Sequence, residues 1–305
     1  MIARTAPPAV LIVNPNAGRL AESVRGDVIA ALRARFDLEV YATTARDTGI
    51  SIAQDVTEKE PVLVIAFGGD GHVNEVANGV AETESSLAIV PGGTMNVFAR
   101  ALGLPLDPFR AIDHLVDSLG TTPRRVHLGR MDDRYFTFSA GCGFDAEAAG
   151  RVERYVPNKR RFGEIFFYWS AFRVLAGSHR HRKPTMALQG PFGREEVAMV
   201  IACNAGPYAY LLNRPINVAP EVRLEKGLDV FALRSMRLEA FPIYAWRSAV
   251  SGDLVGHDDV VYHHDLGSFS LTAERPFSRH VDGEPLSPRR TATFSIAPDV
   301  LRVQI

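Results

Sequence analysis

The sequence predicts a two-domain chain: a doubly wound α/β domain over residues 1–123, then a mainly β domain over residues 124–305. Three observations carry this. The chain has 305 residues, about two ordinary domains. Short apolar runs alternate with segments of helical period as far as residue 120. Beyond Pro123, strand-like runs follow one another directly.

Residues 9–13 (AVLIV) form a continuous apolar run, the mark of a strand buried on both faces. Residues 20–36 place Leu20, Val24, Val28, Ala31, Leu32 and Phe36 near helical period. Residues 38–42 (LEVYA) give a second strand. The helical pattern over 44–58 takes Thr44 or Asp47 as its N-cap and is weakened by Gly49. Residues 62–67 (VLVIAF) are a third buried strand, followed by a helix over 72–80. Residues 87–90 (LAIV) are a fourth strand, and helices follow over 95–102 and 108–119. Asp107 caps the last of these, with Pro108 at its first helical position. Strands joined by helices imply a parallel sheet.

In the second half, strand-like runs lie at 125–130, 135–139, 186–188, 197–203, 228–233, 268–272 and 291–296. Most are bounded by Gly, Pro, Asn or Asp, as in antiparallel sheets. A helix over 161–177 is inserted among them, and a return of the last strand toward the first domain is left open.

Composition narrows the function classes. Lys and Arg number 34 against 35 Asp and Glu, a net charge of −1. That excludes a globally basic nucleic-acid binder, and no nucleic-acid partner is expected. Cys142 and Cys203 are too few for a disulfide scaffold or a Cys-based zinc site and suit a reducing compartment. The first residues lack a signal-peptide pattern, and no apolar run approaches 18 residues. The expected location is cytoplasmic. Among nine histidines, His179/His181 and His263/His264 have metal-like spacing without a clear third ligand.

The sharpest local signal is Gly68-Gly69-Asp70-Gly71-His72, between a buried strand and a helix. Glycines let backbone N–H groups approach a ligand closely, and a helix start suits phosphate. Asp70 is placed to hold Mg²⁺ or accept a proton. Taken alone, the motif also describes a tight strand–helix turn with Asp as cap. Two companions add weight: Asn14-Pro15-Asn16-Ala17-Gly18 after the first strand, and Pro91-Gly92-Gly93-Thr94-Met95-Asn96 after the fourth. All three fall at the C-terminal edge of the expected sheet, where open α/β folds bind ligands. No Walker motif or G-x-G-x-x-G is present.

These motifs, together with Asn74-Glu75-Val76-Ala77-Asn78-Gly79 and Val97-Phe98-Ala99-Arg100, resemble the diacylglycerol kinase catalytic-domain family, which includes bacterial diacylglycerol kinases and sphingosine and ceramide kinases. Ser139 to Asp145, Gly227-Leu228-Asp229-Val230 and Asp282-Gly283-Glu284 match in order along the second half. The resemblance implies an α/β nucleotide domain followed by a β-sandwich lipid-binding domain. It also implies transfer of the γ-phosphoryl group of ATP, with Mg²⁺, to a lipid hydroxyl. Diacylglycerol or a related lipid alcohol is the default acceptor. By the same resemblance, Asn14, Pro15, Gly18, Gly68, Gly69, Gly71, His72, Glu75, Gly92, Gly93, Thr94 and Asn96 lie around the nucleotide. Asp70 and Glu284 are the catalytic acids, with Asp70 as proton acceptor and Glu284 organising metal and phosphates. Asp70, Asp282 and Glu284 are the metal ligands, and Asp145 faces the lipid headgroup. Taken alone, Asp282-Gly283-Glu284 describes a hairpin turn, and Asp145 a cap in a glycine-rich turn.

The chain departs from the family pattern at several positions. His72 stands where Thr is frequent, Asn16 where Lys is, and Val97 where Asp is. In Leu224-Glu225-Lys226, Lys226 would oppose an accessory cation. A small-molecule kinase such as an NAD kinase, or a non-catalytic lipid- or nucleotide-binding regulator, are the competing readings.

Residues 151–183 hold nine basic side chains against Glu153 and Glu164, about +7 within a chain of net −1. They enclose Phe162, Phe166, Phe167, Tyr168, Trp169 and Phe172. Such a segment suits an anionic membrane surface, although an aromatic stripe also suits a core. Peripheral membrane association is the expectation, and a homodimer is left open.

Overall fold

The computed structural model describes residues 6–15, 22–147, 181–182, 185–211, 214–237 and 255–305. Gly18, Asn16, His179 and the aromatic–basic segment apart from residues 181–182 lie outside the described residues. The chain divides into two compact units, 1–127 with 298–305, and 128–297.

In the first unit, β1 (Pro8–Val13), β2 (Asp37–Ala42), β3 (Leu63–Gly68) and β4 (Ser86–Pro91) are parallel in the order β4–β3–β1–β2. They alternate with α1 (Glu22–Arg33), α2 (Thr48–Thr57), α3 (Asp70–Val80), α4 (Val97–Ala101) and α5 (Pro108–Ser118). The three central strands are nearly continuous apolar runs because helices cover both faces. Ala9, Leu11 and Val13 pack on one side with Val28 and Leu32 of α1 and Ile112 and Leu115 of α5. Asp107 caps α5, its carboxylate accepting from the N–H groups of Phe109 (3.1 Å) and Arg110 (3.0 Å).

The second unit contains, in chain order, β5 (Arg124–Met131, which begins in the first), β6 (Arg134–Phe136), β7 (Ser139–Gly143), β8 (His181–Arg182), β9 (Met186–Gly190), β10 (Gly193–Val197) and β11 (Met199–Cys203). It continues with β12 (Ala209–Leu211), β13 (Arg214–Ile216), β14 (Leu228–Leu233), β15 (Met236–Arg237), β16 (Val260–Leu266), β17 (Ser268–Val281) and β18 (Glu284–Val303). The main order is β16–β14–β11–β7–β17–β18, antiparallel throughout. Strand β17 changes neighbours along its length. Its first part pairs β9 (Thr272↔Ala187) and its last part pairs β7 (His280↔Gly141), with register shifts between. One core joins Met186, Leu188, Phe269, Leu271 and Phe294 to Ala140, Cys142, Val200, Val230 and Val261. Beneath Phe144, a second core covers the other face of β11 and β14, which explains why those strands are buried at every position.

The unit boundary falls at His127/Leu128 rather than Pro123, and residues 298–305 belong to the first unit. The end of β18 pairs parallel with β4 through Arg302↔Ser86 and Val303↔Leu87. Gln304 fixes this return, its Nε2 donating to the Ser118 carbonyl at 2.6 Å. Among the described residues, no helix is long and apolar enough to cross a membrane.

Candidate active site

In the first unit the strand order reverses between β1 and β3, so the loops after them flank a topological switch point. The loop after β1 is tied down by the Asn14 N–H, which donates to the Phe67 carbonyl at 3.3 Å. Arg25 of α1 donates to the Pro15 carbonyl at 2.5 Å. Beside it, the loops after β3 and β4 meet backbone to backbone: the Gly92 N–H donates to the Gly68 carbonyl at 2.8 Å. A Cβ on Gly93 would lie 2.6 Å from the Gly69 Cα, so only glycine permits this approach. Asn96 folds the β4 loop, its amide oxygen accepting from the Gly93 N–H and its amide nitrogen donating to the Gly93 carbonyl, each at 3.0 Å. It holds a left-handed backbone (φ 49°) as the N-cap of α4, a conformation that asparagine tolerates. Thr94 is exposed at the tip of this loop.

Helix α3 starts at Asp70, two residues earlier than its hydrophobic period suggests. Asp70 therefore stands in the first helical turn, half-buried among the glycines, its Oδ1 accepting weakly from the Phe98 N–H at 3.4 Å. The first intrahelical bond runs from the Val73 N–H to the Gly69 carbonyl. The N–H groups ahead of it face the positive end of the helix, a setting suited to anionic oxygen. The glycine cradle fits phosphates, and the Asp70 carboxylate is the hard oxygen donor that Mg²⁺ prefers. Among the described residues, no three His, Cys, Asp or Glu side chains cluster into a metal cage. Mg²⁺ usually binds through one or two carboxylates plus substrate phosphates.

Two residues expected at the nucleotide also have structural partners. His72 is 5% exposed, and its Nε2 donates to the Ile12 carbonyl at 2.9 Å, binding α3 to β1. Burial holds its imidazole below the usual range, in the neutral form. Its ring packs against Gly68, where a Cβ would fall 2.6 Å from the His72 Cδ2, and its backbone N–H remains in the first turn. Glu75 reaches from α3 to the start of α2. Its Oε1 accepts from the Asp47 N–H and its Oε2 from the Gly49 N–H, both at 2.9 Å. Asp47 itself makes no side-chain cap, so the neighbouring helix supplies one. Gly49 leaves room for this contact, because a Cβ would fall 2.7 Å from the Glu75 Oε2 and displace it. Replacing Glu75 with Ala is expected to lower stability by about 1 kcal/mol without changing nucleotide affinity. Paired denaturation and nucleotide titration would check this.

Asp145, Asp282 and Glu284 belong to the second unit. Asp282 and Gly283 form the two-residue turn between β17 and β18, with φ values of 47° and 82°. Positive φ at both positions matches the twist of an antiparallel hairpin. The Asp282 carboxylate is 5% exposed and saturated. Oδ2 accepts from the Thr137 N–H and hydroxyl, both at 2.7 Å, and Oδ1 accepts from the N–H groups of Phe138 and Ser139, both at 3.0 Å. Burial pushes its carboxyl up, against the pull of those backbone donors. Asp282 anchors the turn to the β6–β7 connection, and the oxygens expected to face a metal accept from the protein's own donors. Glu284 is the first residue of β18 and partly buried.

Asp145, in the helical turn 144–147, is also engaged at both oxygens. Its Oδ1 accepts from the Tyr208 hydroxyl and its Oδ2 from the His280 Nε2, both at 2.5 Å. His280 and Tyr208 escaped the sequence reading because neither lies near Asp145 in the chain.

Other sequence-level suspects resolve similarly. His263 meets Glu195 at 3.1 Å and His264 meets Asp229 at 2.7 Å, which accounts for both without a metal. Lys226 places its ammonium 3.5 Å from the Asp265 carboxylate. Cys142 and Cys203 are buried, and burial pushes both thiols far up.

Comparison with known proteins agrees with these features. The model of the diacylglycerol kinase catalytic domain matches residues 8–131. A diacylglycerol kinase of Staphylococcus carnosus is 36% identical over 281 residues, covering 90% of this chain and 88% of that protein. A protein of Chromohalobacter salexigens named "Probable lipid kinase YegS-like" is 38% identical over 296 residues, covering 90% and 86%. Against the diacylglycerol kinases of Staphylococcus epidermidis the match is 36% over 173 residues and spans about half of those relatives, 52% of their length. In three dimensions, a crystal structure of a diacylglycerol kinase from Bacillus anthracis str. Sterne superposes with a TM-score of 0.73 at 25% identity, covering 97% of this chain and 96% of that one. Fold and loops thus define a protein with the two-domain fold of the diacylglycerol kinases. The chain belongs to the diacylglycerol kinase catalytic-domain family.

Proposed function

We propose that the chain transfers the γ-phosphoryl group of ATP to the hydroxyl of a lipid, with diacylglycerol or a related lipid alcohol as acceptor. The observation that carries this reading is Asp70, set in the first turn of α3 among glycine loops that meet without side chains between them. Phosphoryl transfer asks a protein mainly for positioning and for neutralisation of charge. The N–H groups of the loops after β3 and β4 hold the phosphate oxygens, and Asn96 keeps the second loop in shape. Mg²⁺, when bound, neutralises charge on the phosphates, with the Asp70 carboxylate as its protein ligand in the first unit. Asp70 also accepts the proton of the attacking hydroxyl, and Glu284 supplies the second acidic group, a role that rests on the family resemblance. The basic and aromatic composition of residues 151–183 supports an anionic membrane surface as partner.

The test is incubation of the purified chain with Mg-ATP and a total lipid extract, with NAD in a parallel reaction, and identification of the phosphorylated product by mass. A new lipid phosphate is expected. A product from NAD alone would replace this reading with the small-molecule kinase, and none from either would leave a binding role. Sedimentation with anionic vesicles is expected to weaken on charge reversal at Arg180, Arg182 and Lys183; indifference to it would remove the membrane patch.

A further inference from the structure

We propose that Asp145 and His280 are positioning residues that fix the hairpin bearing Glu284, a refinement that rests on the kinase reading above. Four groups form one hydrogen-bonded chain inside the second unit. The Gly283 N–H donates to the His280 Nδ1 at 3.2 Å. That nitrogen must therefore be an acceptor, so the proton of the neutral ring sits on Nε2 and is donated to the Asp145 Oδ2 at 2.5 Å. The Asp145 Oδ1 accepts in turn from the Tyr208 hydroxyl at 2.5 Å. His280 is 1% exposed and Asp145 6%, so water does not compete for these bonds, and the carboxylate strengthens them.

The surroundings are shaped for this pair. Gly141 lies opposite His280 on β7. A Cβ there would fall 2.0 Å from the Asp145 Oδ2 and 2.3 Å from the His280 Nε2, so any other residue would drive the two apart. At its far end the chain of bonds grips the backbone of Gly283, the residue immediately before Glu284. The adjacent Asp282 is gripped independently by residues 137–139. The turn is thus held at both of its residues, and the backbone of Glu284 starts from a fixed place. Apolar packing would fill this space at lower desolvation cost, but it would not select one orientation of the Gly283 peptide. Each Asp145 oxygen and each His280 nitrogen has a partner within this chain of bonds, which links the pair to the turn and gives them a positioning role. Misplacement of a catalytic group by about 1 Å is worth about 10²-fold in rate.

The test combines steady-state kinetics on the full chain with amide hydrogen exchange at Gly283. Asp145→Ala is expected to lower kcat by about 10- to 100-fold while the KM values for ATP and lipid stay within about twofold. Asp145→Asn keeps an oxygen acceptor for His280 and is expected to restore most of that loss. His280→Asn keeps an acceptor near Gly283, whereas His280→Gln keeps only the reach to Asp145. Exchange at Gly283 should therefore rise at least about tenfold in His280→Gln and much less in His280→Asn. Unchanged Gly283 exchange in His280→Gln would overturn the proposal, as would a loss confined to the lipid KM in Asp145→Ala, which would make Asp145 a substrate contact. Failure of the wild-type chain to phosphorylate any lipid would refute the kinase reading, and the exchange measurement would still decide whether His280 holds the turn.

Discussion

Replacing Asp70 with Asn is expected to lower kcat for lipid phosphorylation by about 10³-fold or more while leaving the fold intact. Asparagine keeps the size of the side chain and an oxygen for the weak contact with the Phe98 N–H. What it loses is the negative charge, and with it the hard ligand for Mg²⁺ and the capacity to accept a proton, a contribution of about 10²–10⁴-fold for proton transfer alone. The stability penalty is small. A carboxylate in the first turn of a helix contributes about 0.3–1 kcal/mol through the helix dipole, so the thermal midpoint should fall by only a few degrees. The check is a comparison of initial rates at saturating Mg-ATP beside a thermal melt. A variant that turns over at the wild-type rate would sink the assignment of Asp70, and a variant that melts far below wild type would mean that the residue is structural.

Replacing Asp282 with Ala should do the opposite, destabilising the second unit severely. Three backbone N–H groups and the Thr137 hydroxyl lose their acceptors in a site where the carboxylate is 5% exposed. Each buried polar group left unsatisfied costs about 1–3 kcal/mol. Even with water entering the vacated space, a loss of at least about 3 kcal/mol is expected, or roughly 10 °C in the melting temperature of a unit this size. Asp282→Asn should fare little better, because its amide NH₂ would face donors where the carboxylate presented an oxygen. Denaturation of both variants, followed by a signal from the second unit, checks this. Wild-type stability in Asp282→Ala would show that the donors find other partners and would return Asp282 to the candidates for metal binding.

These contrasting expectations for two aspartates, each in a glycine-rich turn, show where the sequence is legible and where it stops. The strands of the first unit could be located because β1, β3 and β4 are buried on both faces and leave unbroken apolar runs. The loops after them could be ranked as candidate sites because glycine and asparagine mark backbone geometry that few other residues adopt, as Gly93 and Asn96 do. Element ends were less accurate: α3 begins at Asp70, and hydrophobic period cannot detect a first turn made of polar and glycine residues.

Side-chain employment was not legible, because it is fixed by partners distant in sequence. His72 answers to Ile12, Glu75 to Asp47 and Gly49, and Asp282 to Thr137, Phe138 and Ser139. Asp145 is bound by His280, 135 residues away. A motif records which residue types recur at a spacing and is silent about whether a carboxylate faces a ligand or the protein's own amides. Local pattern by itself indicated two domains, glycine-rich loops at the C-terminal edge of a parallel sheet and the family, because strand burial, turn chemistry and motif order are properties of short stretches. Only the tertiary structure decided that the Asp282 carboxylate is taken up by buried N–H groups and that Asp70 stands in a helix's first turn among glycines, because hydrogen bonding in a packed interior depends on what the folded chain brings within about 3 Å.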